Sequence, residues 1–450
     1  MLAQQQILMW GYCPIHSPNI ARSHRFKPRR ASETFPKALH QSDCAQSSFK
    51  RAPVGLPNPT SRSKDHNSFQ KGIDFLEGFG KDLVVGMFVG MQFLMISWLM
   101  PQDALALLNA PRALLPRTAE AALRRSIPTF NTDVGQIQSY MEDIQFSLRI
   151  PQRKPWATIQ KNVKSAEELV ADVPRMLIGV PKDKVGDAEL LVADIAKGLF
   201  RVESAVGARD QEKTGQRVAD TLKSVADLEL LQAPGLSFII PRDYATFPRL
   251  TGRATAEFTI KKGDGSTPFY NNKQGTASDV TTLRIVLDGY SAPISAGNFA
   301  ANIANGLYNG KQILADRNAV AGGAGLAPNK SIPLEILPVG DFDPLYGIPI
   351  DVQSGERPVL PLSINGAVSM ARSKNQDYAL ASDEFFIYKF NRAQAGLAGM
   401  SFDEGRFGVF GYVVGGLDAI ESLTSGDTIV AAKLISGSER LTDPKTAGGK

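Results

Sequence analysis

The runs GAVSMAR at Gly366–Arg372, DEFFIY at Asp383–Tyr388 and EGRFGVFGYVV at Glu404–Val414 decide how this chain is read. Each is apolar, is bounded by glycine or a polar loop, and spaces its large residues so that successive side chains point to opposite faces of a sheet. Runs of this kind in close succession predict neighbouring strands of a closed barrel. Working outward, LRIVLDGYSAPISAGNFAANIANGLYNG at Leu283–Gly310 reads as a strand, a helix and a glycine-bounded turn. Leu283, Ile285 and Leu287 alternate, Ser295 is the candidate cap of a helix containing Phe299 and Ile303, and Gly306 is its expected stop. Further upstream, Ala254, Ala256, Phe258 and Ile260 alternate as another strand.

In this order the motifs resemble the cyclophilin domain. The three C-terminal runs are similar to its second half, and Leu283–Gly310 is similar to its opening strand, first helix and YxG turn. The resemblance covers residues 253–445. It implies a mainly-β closed barrel with flanking helices, a peptidyl-prolyl cis-trans isomerase activity that uses no cofactor and no metal, and proline-containing peptide segments as substrates.

At 450 residues the chain has room for two or three domains, and 43% hydrophobic content is ordinary for a globular protein. A formal charge of +5 would suit an anionic partner such as nucleic acid or a membrane surface. The location of the excess argues against it: residues 1–106 carry twelve Lys or Arg and seven Asp or Glu, which leaves 38 of each sign in the rest. Nothing in that balanced body favours nucleic acid. Both cysteines, Cys13 and Cys44, and all four histidines, His16, His24, His40 and His66, lie in the first 66 residues. If that segment is removed, the chain has no disulfide, thiol nucleophile, histidine base or ordinary zinc site.

Residues 1–68 are rich in Ser and Arg, with Glu33, Asp43 and Asp65 as their only acids. This is the composition of an organelle transit peptide, and also that of a disordered tail. Residues 69–106 contain LVVGMFVGMQFLMISWLM at Leu83–Met100, which at ~1.5 Å per residue is just long enough to cross a bilayer as a retained anchor. The run is followed at once by Pro101 and by the small-residue site Ala104-Leu105-Ala106, as in a cleaved signal. A transit-like segment followed by a signal-like one predicts passage through the chloroplast stroma into the thylakoid lumen. Cleavage is expected after Ala106, with Ala110 as second choice.

Residues 107–235 carry helical stripes. Val134, Ile137, Met141, Ile144 and Leu148 follow the capping candidates Asn131 and Thr132. A second stripe is Trp156, Ile159, Val163, Ala166, Leu169 and Val173, with Pro155 in the first turn and Pro174 expected to end or kink the helix. A third is Leu191, Ile195, Leu199 and Val202, and a fourth is Val218, Leu222, Val225 and Leu228. Four amphipathic helices with short connections predict an up-and-down bundle with a shared core. The other use of such a face is to dock on the barrel or on a partner helix. Residues 236–252 form a connector, within GLSFIIPRDYATFPRLTG, whose apolar content predicts that it packs. A bundle, a connector and a cyclophilin-like domain in this order resemble the plant multidomain lumenal cyclophilins. The segment SIPLEILPVGDFDPLYG at Ser331–Gly347 is longer than anything single-domain cyclophilins carry there and is a candidate contact surface.

Prolyl isomerisation must overcome a barrier of ~18–20 kcal/mol set by amide resonance. It needs an apolar pocket for the proline ring and a donor that draws the nitrogen lone pair out of conjugation. In the cyclophilin family an arginine in an FHR triplet, seven residues after the YxG tyrosine, supplies that donor. Counted from Tyr308 the triplet becomes Ile313-Leu314-Ala315, so alanine stands at the arginine position. Arg317 lies two residues on. In an undistorted strand it would share the face of Ala315 at ~6–7 Å, which makes it the candidate catalytic residue. The family's GFxxQGGD becomes Asn318 to Gly325, without phenylalanine, glutamine or aspartate.

The rest of the site is closer to the family pattern. The resemblance assigns Met370, Ala371, Glu384, Phe386, Phe402 and Phe407 to substrate binding. Arg372 replaces an asparagine, Glu384 a glutamine and Phe407 a histidine, and Phe385 and Phe386 match the aromatic pair. Phe386 is the expected floor of the proline pocket, and ordinary core packing is the alternative use of each phenylalanine. Gly322-Gly323-Ala324-Gly325 lacks the Lys-Ser/Thr of a phosphate loop. Asp383 and Glu384 are strand neighbours that face opposite ways, and Arg406 reads as a solvated turn residue.

Two functions follow. One is a lumenal prolyl isomerase that assists folding of thylakoid proteins. The other is a non-catalytic peptide-binding or assembly scaffold, for which the family resemblance implies photosystem subunits as partners.

Overall fold

The computed structural model describes residues 115–151, 153–271, 276–323, 331–373, 379–396 and 399–444. The transit-like segment, the Leu83–Met100 run, the cleavage sites at Ala106 and Ala110, both cysteines and all the histidines lie outside the described residues. Among the described residues no helix is long and apolar enough to cross a membrane.

The helical region opens with α1 (Ala119–Arg125), whose start is capped by the Thr118 hydroxyl. In α2 (Thr132–Leu148) the Asn131 side chain is the cap, accepting from the backbone of Asp133 and Val134 at 3.0 and 3.2 Å. It thereby satisfies two donors that have no partner inside the helix. Helix α3 (Trp156–Val170) starts behind Pro155 and stops at Val170, before Pro174. Pro174 instead opens a separate turn, Val173–Met176, capped by Asp172. Helices α4 (Val185–Gly207) and α5 (Gln211–Gln232) complete the set.

Each of α2 to α5 packs on its sequence neighbour, and α5 returns to α2. The predicted stripes meet in one core: Ile137, Met141, Ile159, Val163, Leu199, Val218 and Leu222 are fully buried. On α4 the buried stripe is Ala188, Val192, Ile195, Leu199 and Val202. Leu191 lies at its edge, partly buried, so the face is turned slightly from the predicted one.

The barrel strands are β1 (Arg253–Lys261), β2 (Val280–Asp288), β3 (Lys311–Gln312), β4 (Leu314–Ala315), β5 (Ala319–Gly323), β6 (Ser331–Pro333), β7 (Ala367–Arg372), β8 (Ala379–Tyr388), β9 (Val409–Gly415) and β10 (Thr428–Ser436). Their order is β3-β10-β1-β2-β9-β7-β8-β5-β4, all antiparallel, with β6 also on β8. The two ends of this order are one stretch of chain. Lys311–Gln312 pairs with β10, Leu314–Ala315 pairs with β5, and the Ile313 amide between them donates to the Asp427 carbonyl at 2.8 Å. The sheet is thus nearly closed, which leaves few unpaired edge groups. Inside it, Phe258, Phe299, Tyr308, Phe385 and Phe410 form an aromatic cluster with neighbouring ring centroids 5.0–6.2 Å apart.

Helix α6 (Pro293–Ala304) plugs one end of the barrel and stops where Gly306 turns with φ +66°. Its cap differs from the predicted one. The helix begins at Pro293, so Ser295 falls inside its first turn and donates its backbone N–H rather than accepting one. The acceptor is the Glu335 carboxylate of the long insertion, 2.8 Å from Ser295 N and 3.0 Å from Ile294 N. That insertion forms a small ladder, Glu335–Ile336 against Leu345–Tyr346, and the connector residues Ile240, Tyr244 and Phe247 pack against the same barrel core.

The described residues belong to one compact unit, in which helices and barrel touch. Helix α1 packs on β9, contributing Ala119, Ala122 and Leu123 to a cluster with Tyr412 and Val409. The Arg253 guanidinium donates to the Leu123 carbonyl and, at 2.9 Å, to the Ser126 hydroxyl. The Tyr290 hydroxyl donates to the Ala233 carbonyl at the end of the bundle, at 3.0 Å.

Candidate functional site

Strand parity places the site. Directly paired residues of an antiparallel ladder share a face. Val320, Ile387 and Val368 are paired across β5, β8 and β7 and point into the barrel core, as do Phe385 and Met370. Ala321, Phe386 and Ser369 are paired in the alternate register and take the outer face. On that face Phe386 meets Phe407 edge to face, with centroids 5.2 Å apart and rings at 83°. The two belong to a cluster with Ala319, Ala321, Tyr388, Leu360, Leu362 and Ile364. Phe386 is 6% exposed and Phe407 5%, so the pair forms a wall rather than an open pocket.

Parity also settles where the predicted residues stand. Met370 is fully buried in the barrel core opposite Phe385, which takes it away from the outer face. Ala371 and Glu384 are half-buried, and Glu384 is on the Phe386 side of its strand, paired with Gly323. Phe402 is 79% exposed on the loop that follows β8, with its ring against Gly396.

Arg317 does not continue a strand as expected. The Asp316 amide donates to the Ala319 carbonyl at 2.9 Å, and the Asp316 carboxylate accepts from the Asn318 and Ala319 amides at 2.7 Å. The chain therefore turns at once, and Arg317 occupies the exposed tip of the hairpin. No hydrogen bond or ion pair of its side chain occurs among the described residues. Ala315 pairs with Val320 and packs against the barrel core, whereas Leu314 pairs with Ala321 and so shares the face of Phe386.

The cation that does reach the wall is Arg372. Its guanidinium carbon lies 5.1 Å from the Phe407 ring centroid, and its Nη2 donates to the Arg406 carbonyl at 3.1 Å. The sequence marked it only as a replacement for asparagine. Two residues beyond the core residue Met370, parity alone would turn it inward; the strand register shifts between Met370 and Arg372, which no local sequence signal announces.

A buried polar network holds the loop that carries the aromatics. The Glu404 carboxylate accepts from the Leu362 and Ser363 amides at 2.7 and 2.8 Å and from the Ser363 hydroxyl. The Ser401 amide donates to Ser363 Oγ at 2.7 Å, and Tyr388 OH lies 3.0 Å from Ser401 Oγ. Burial raises the Glu404 pKa, while the Ser363 hydroxyl and these amides pull it down. The arrangement holds the chain on either side of Phe402 and Phe407.

A nearly closed antiparallel barrel with an aromatic wall on its outer face, preceded by a four-helix region, defines a multidomain cyclophilin. Residues 275–438 match the family described as cyclophilin type peptidyl-prolyl cis-trans isomerase. Residues 118–231 match the PsbQ-like domain of the CYP38-like peptidyl-prolyl cis-trans isomerases. The chain is 45% identical to the chloroplastic peptidyl-prolyl cis-trans isomerase CYP37 of Arabidopsis thaliana over 345 residues, covering 75% of this chain and 74% of that protein. It is 34% identical over 375 residues to a putative thylakoid lumen peptidyl-prolyl cis-trans isomerase of Synechocystis, covering 78% of this chain and 92% of that protein. Identity to the chloroplastic CYP38 of Arabidopsis thaliana is 27% over 346 residues, 73% of this chain and 76% of that protein. The chain belongs to the cyclophilin-type peptidyl-prolyl cis-trans isomerase family, in the branch with a PsbQ-like helical domain ahead of the barrel.

Proposed function

We propose that this chain is a cyclophilin of the chloroplast thylakoid lumen that holds proline-containing segments of thylakoid proteins as they fold or assemble, with slow isomerase turnover. The observation that carries the reading is the Phe386–Phe407 pair, with ring centroids 5.2 Å apart, on a face that the neighbouring hairpin shares through Leu314 and not through a cation. An apolar wall can seat a proline ring. Without a donor aimed at the prolyl nitrogen, the rate falls by ~10²–10³ relative to a site that has one.

A second reading, a non-catalytic scaffold for photosystem subunits, is favoured by the burial of the same pair, 6% and 5% exposed. Proline-switch turnover by residues 107–450 separates the two. Slow turnover that disappears in Phe386→Ala supports the isomerase, and an additional loss in Arg317→Ala would bring the hairpin tip into catalysis. Peptide binding that needs Phe386, without turnover at any enzyme concentration, supports the scaffold. If neither turnover nor binding depends on Phe386, both readings fail.

A further inference from the structure

We propose that the cleft between the helical region and the long insertion is a peptide site of its own, which takes the apolar C-terminal end of a polypeptide and holds its carboxylate on Arg357. Neither Phe386 nor Phe407 lines this cleft, so it can bind whether or not that pair does.

The cleft has a volume of about 620 Å³, within the ~300–1,000 Å³ of ordinary ligand sites. Its apolar lining comes from Leu115 and Pro116 ahead of α1, from Ile127 and Pro128 in the link to α2, and from the insertion. The insertion contributes a short antiparallel ladder. The Val339 amide donates to the Arg357 carbonyl at 2.7 Å and the Val359 amide to the Leu337 carbonyl at 2.9 Å, with Pro338 opposite Pro358 between them. Directly paired residues share a face, and every second residue returns to it. Leu337, Val339, Arg357 and Val359 therefore project together, and all four line the cleft. Backbone pairing thus fixes where the Arg357 side chain enters it.

The other charges in the lining leave this guanidinium available. The Arg125 guanidinium is held by Glu142 at 3.0 Å, and the Glu356 carboxylate accepts from the Asp351 amide at 2.7 Å. Asp341 is exposed on the turn that follows the ladder, and no ion pair joins it to Arg357. Arg357 is half-buried, and among the described residues its side chain has no ion pair or hydrogen bond. A guanidinium so placed can take a carboxylate through two parallel bonds, which are stronger where apolar walls keep water away.

The rest of the lining selects what carries that carboxylate. Val339 and Phe342 are 55% and 85% exposed, so apolar side chains next to the carboxylate would cover surface that is otherwise in water. Asp341 repels a second carboxylate, which favours one terminal acid over a run of Asp or Glu. The Thr129 and Ser237 hydroxyls belong to the same lining. A hydrocarbon acid would bury such groups without replacing their water, whereas the end of a peptide brings N–H and C=O groups to meet them.

The test uses residues 107–450 and a fluorescein-labelled peptide without proline, Gly-Ser-Gly-Ala-Val-Leu, as the free acid and as the C-terminal amide, titrated by fluorescence anisotropy. The acid is expected to bind about tenfold tighter than the amide, because the amide forfeits a hydrogen-bonded charge pair. In Arg357→Gln the acid-to-amide affinity ratio should fall to within about twofold of one, and Arg357→Lys, a point charge without the planar fork, should keep part of it. Phe342→Ser should weaken acid and amide alike. Equal affinity for acid and amide in the parent chain would overturn the proposal, as would a preference that survives Arg357→Gln. No binding of the acid up to ~1 mM, the range of the weakest specific contacts, would overturn it too. Dodecanoate that binds more tightly than the peptide acid, with the same dependence on Arg357, would overturn it in favour of a hydrocarbon acid.

Discussion

The guanidinium carbon of Arg372 lies 5.1 Å from the centroid of the Phe407 ring. The two side chains suit each other: a phenylalanine offers the face that a guanidinium covers, and the guanidinium keeps that face from water. An exposed cation–π contact contributes ~0.5–1 kcal/mol. Arg372→Ala should therefore lower the unfolding free energy by that amount and increase binding of an apolar dye such as ANS to the native protein. Unchanged dye binding would mean that something other than Arg372 shields the ring.

Phe385 and Phe386 are neighbours in sequence with opposite duties. Phe385 stands in the interior cluster, 5.0 Å from Phe299 and 5.1 Å from Tyr308, while Phe386 forms the outer wall. Phe385→Ala should cost about 3–5 kcal/mol, as deep aromatic truncations do, whatever ligand is present. Phe386→Ala should cost less stability and most of the peptide affinity. Chemical denaturation of both variants, with a peptide titration of Phe386→Ala, checks this. A loss of affinity in Phe385→Ala without loss of stability would reverse the assignment.

What the sequence carried and what it concealed follow from the range of each signal. Strands and helices are written in local periods, so the Ala254–Ile260 alternation and the Val134–Leu148 stripe reappear as β1 and α2 with their faces as expected. Parity was legible too: Met370 shares the two-residue period of Val368, and that period places it in the core with Phe385. The cap of α6 was not legible, because its acceptor Glu335 is 40 residues from Ser295 and only tertiary structure brings them together. Nor was the face of Ala315. Counting from Tyr308 gives a position along the chain, but the pairing Ala315 with Val320 depends on how tightly Asp316–Ala319 turns.

The Glu335 cap makes stability depend on pH. Burial pushes its carboxyl up to about 7 from 4.5, against the pull of the Ser295 and Ile294 amides. A carboxyl whose pKa is higher in the folded state binds more protons there across the interval between the two values. Stability is then greatest below about 4.5 and declines as pH rises to about 7. For this residue alone the expected gain is on the order of 2 kcal/mol. Denaturant midpoints from pH 5 to pH 7.5 should show it as a difference between the parent chain and Glu335→Gln, whose curve lacks that component. Superimposable pH curves for the two proteins would rule it out.

The hairpin offers the sharpest test of where a catalytic cation must sit. Position in the motif points to Ala315, but its side chain shares the face of Val320 and packs against the barrel core. Leu314 shares the face of Ala321, and through it of Phe386. An arginine at 314 would rise from the strand beside the wall, within reach of a prolyl nitrogen seated on Phe386. At 315 it would bring a charge against apolar side chains, which is costly unless the charge is paired. Leu314→Arg should raise kcat/KM for proline-switch turnover at least about tenfold, part of what such a donor supplies where it is native. Ala315→Arg should leave turnover no higher and lower the unfolding free energy. If instead Ala315→Arg restores turnover and Leu314→Arg does not, the strand must rotate to present the face opposite to the one seen in this hairpin.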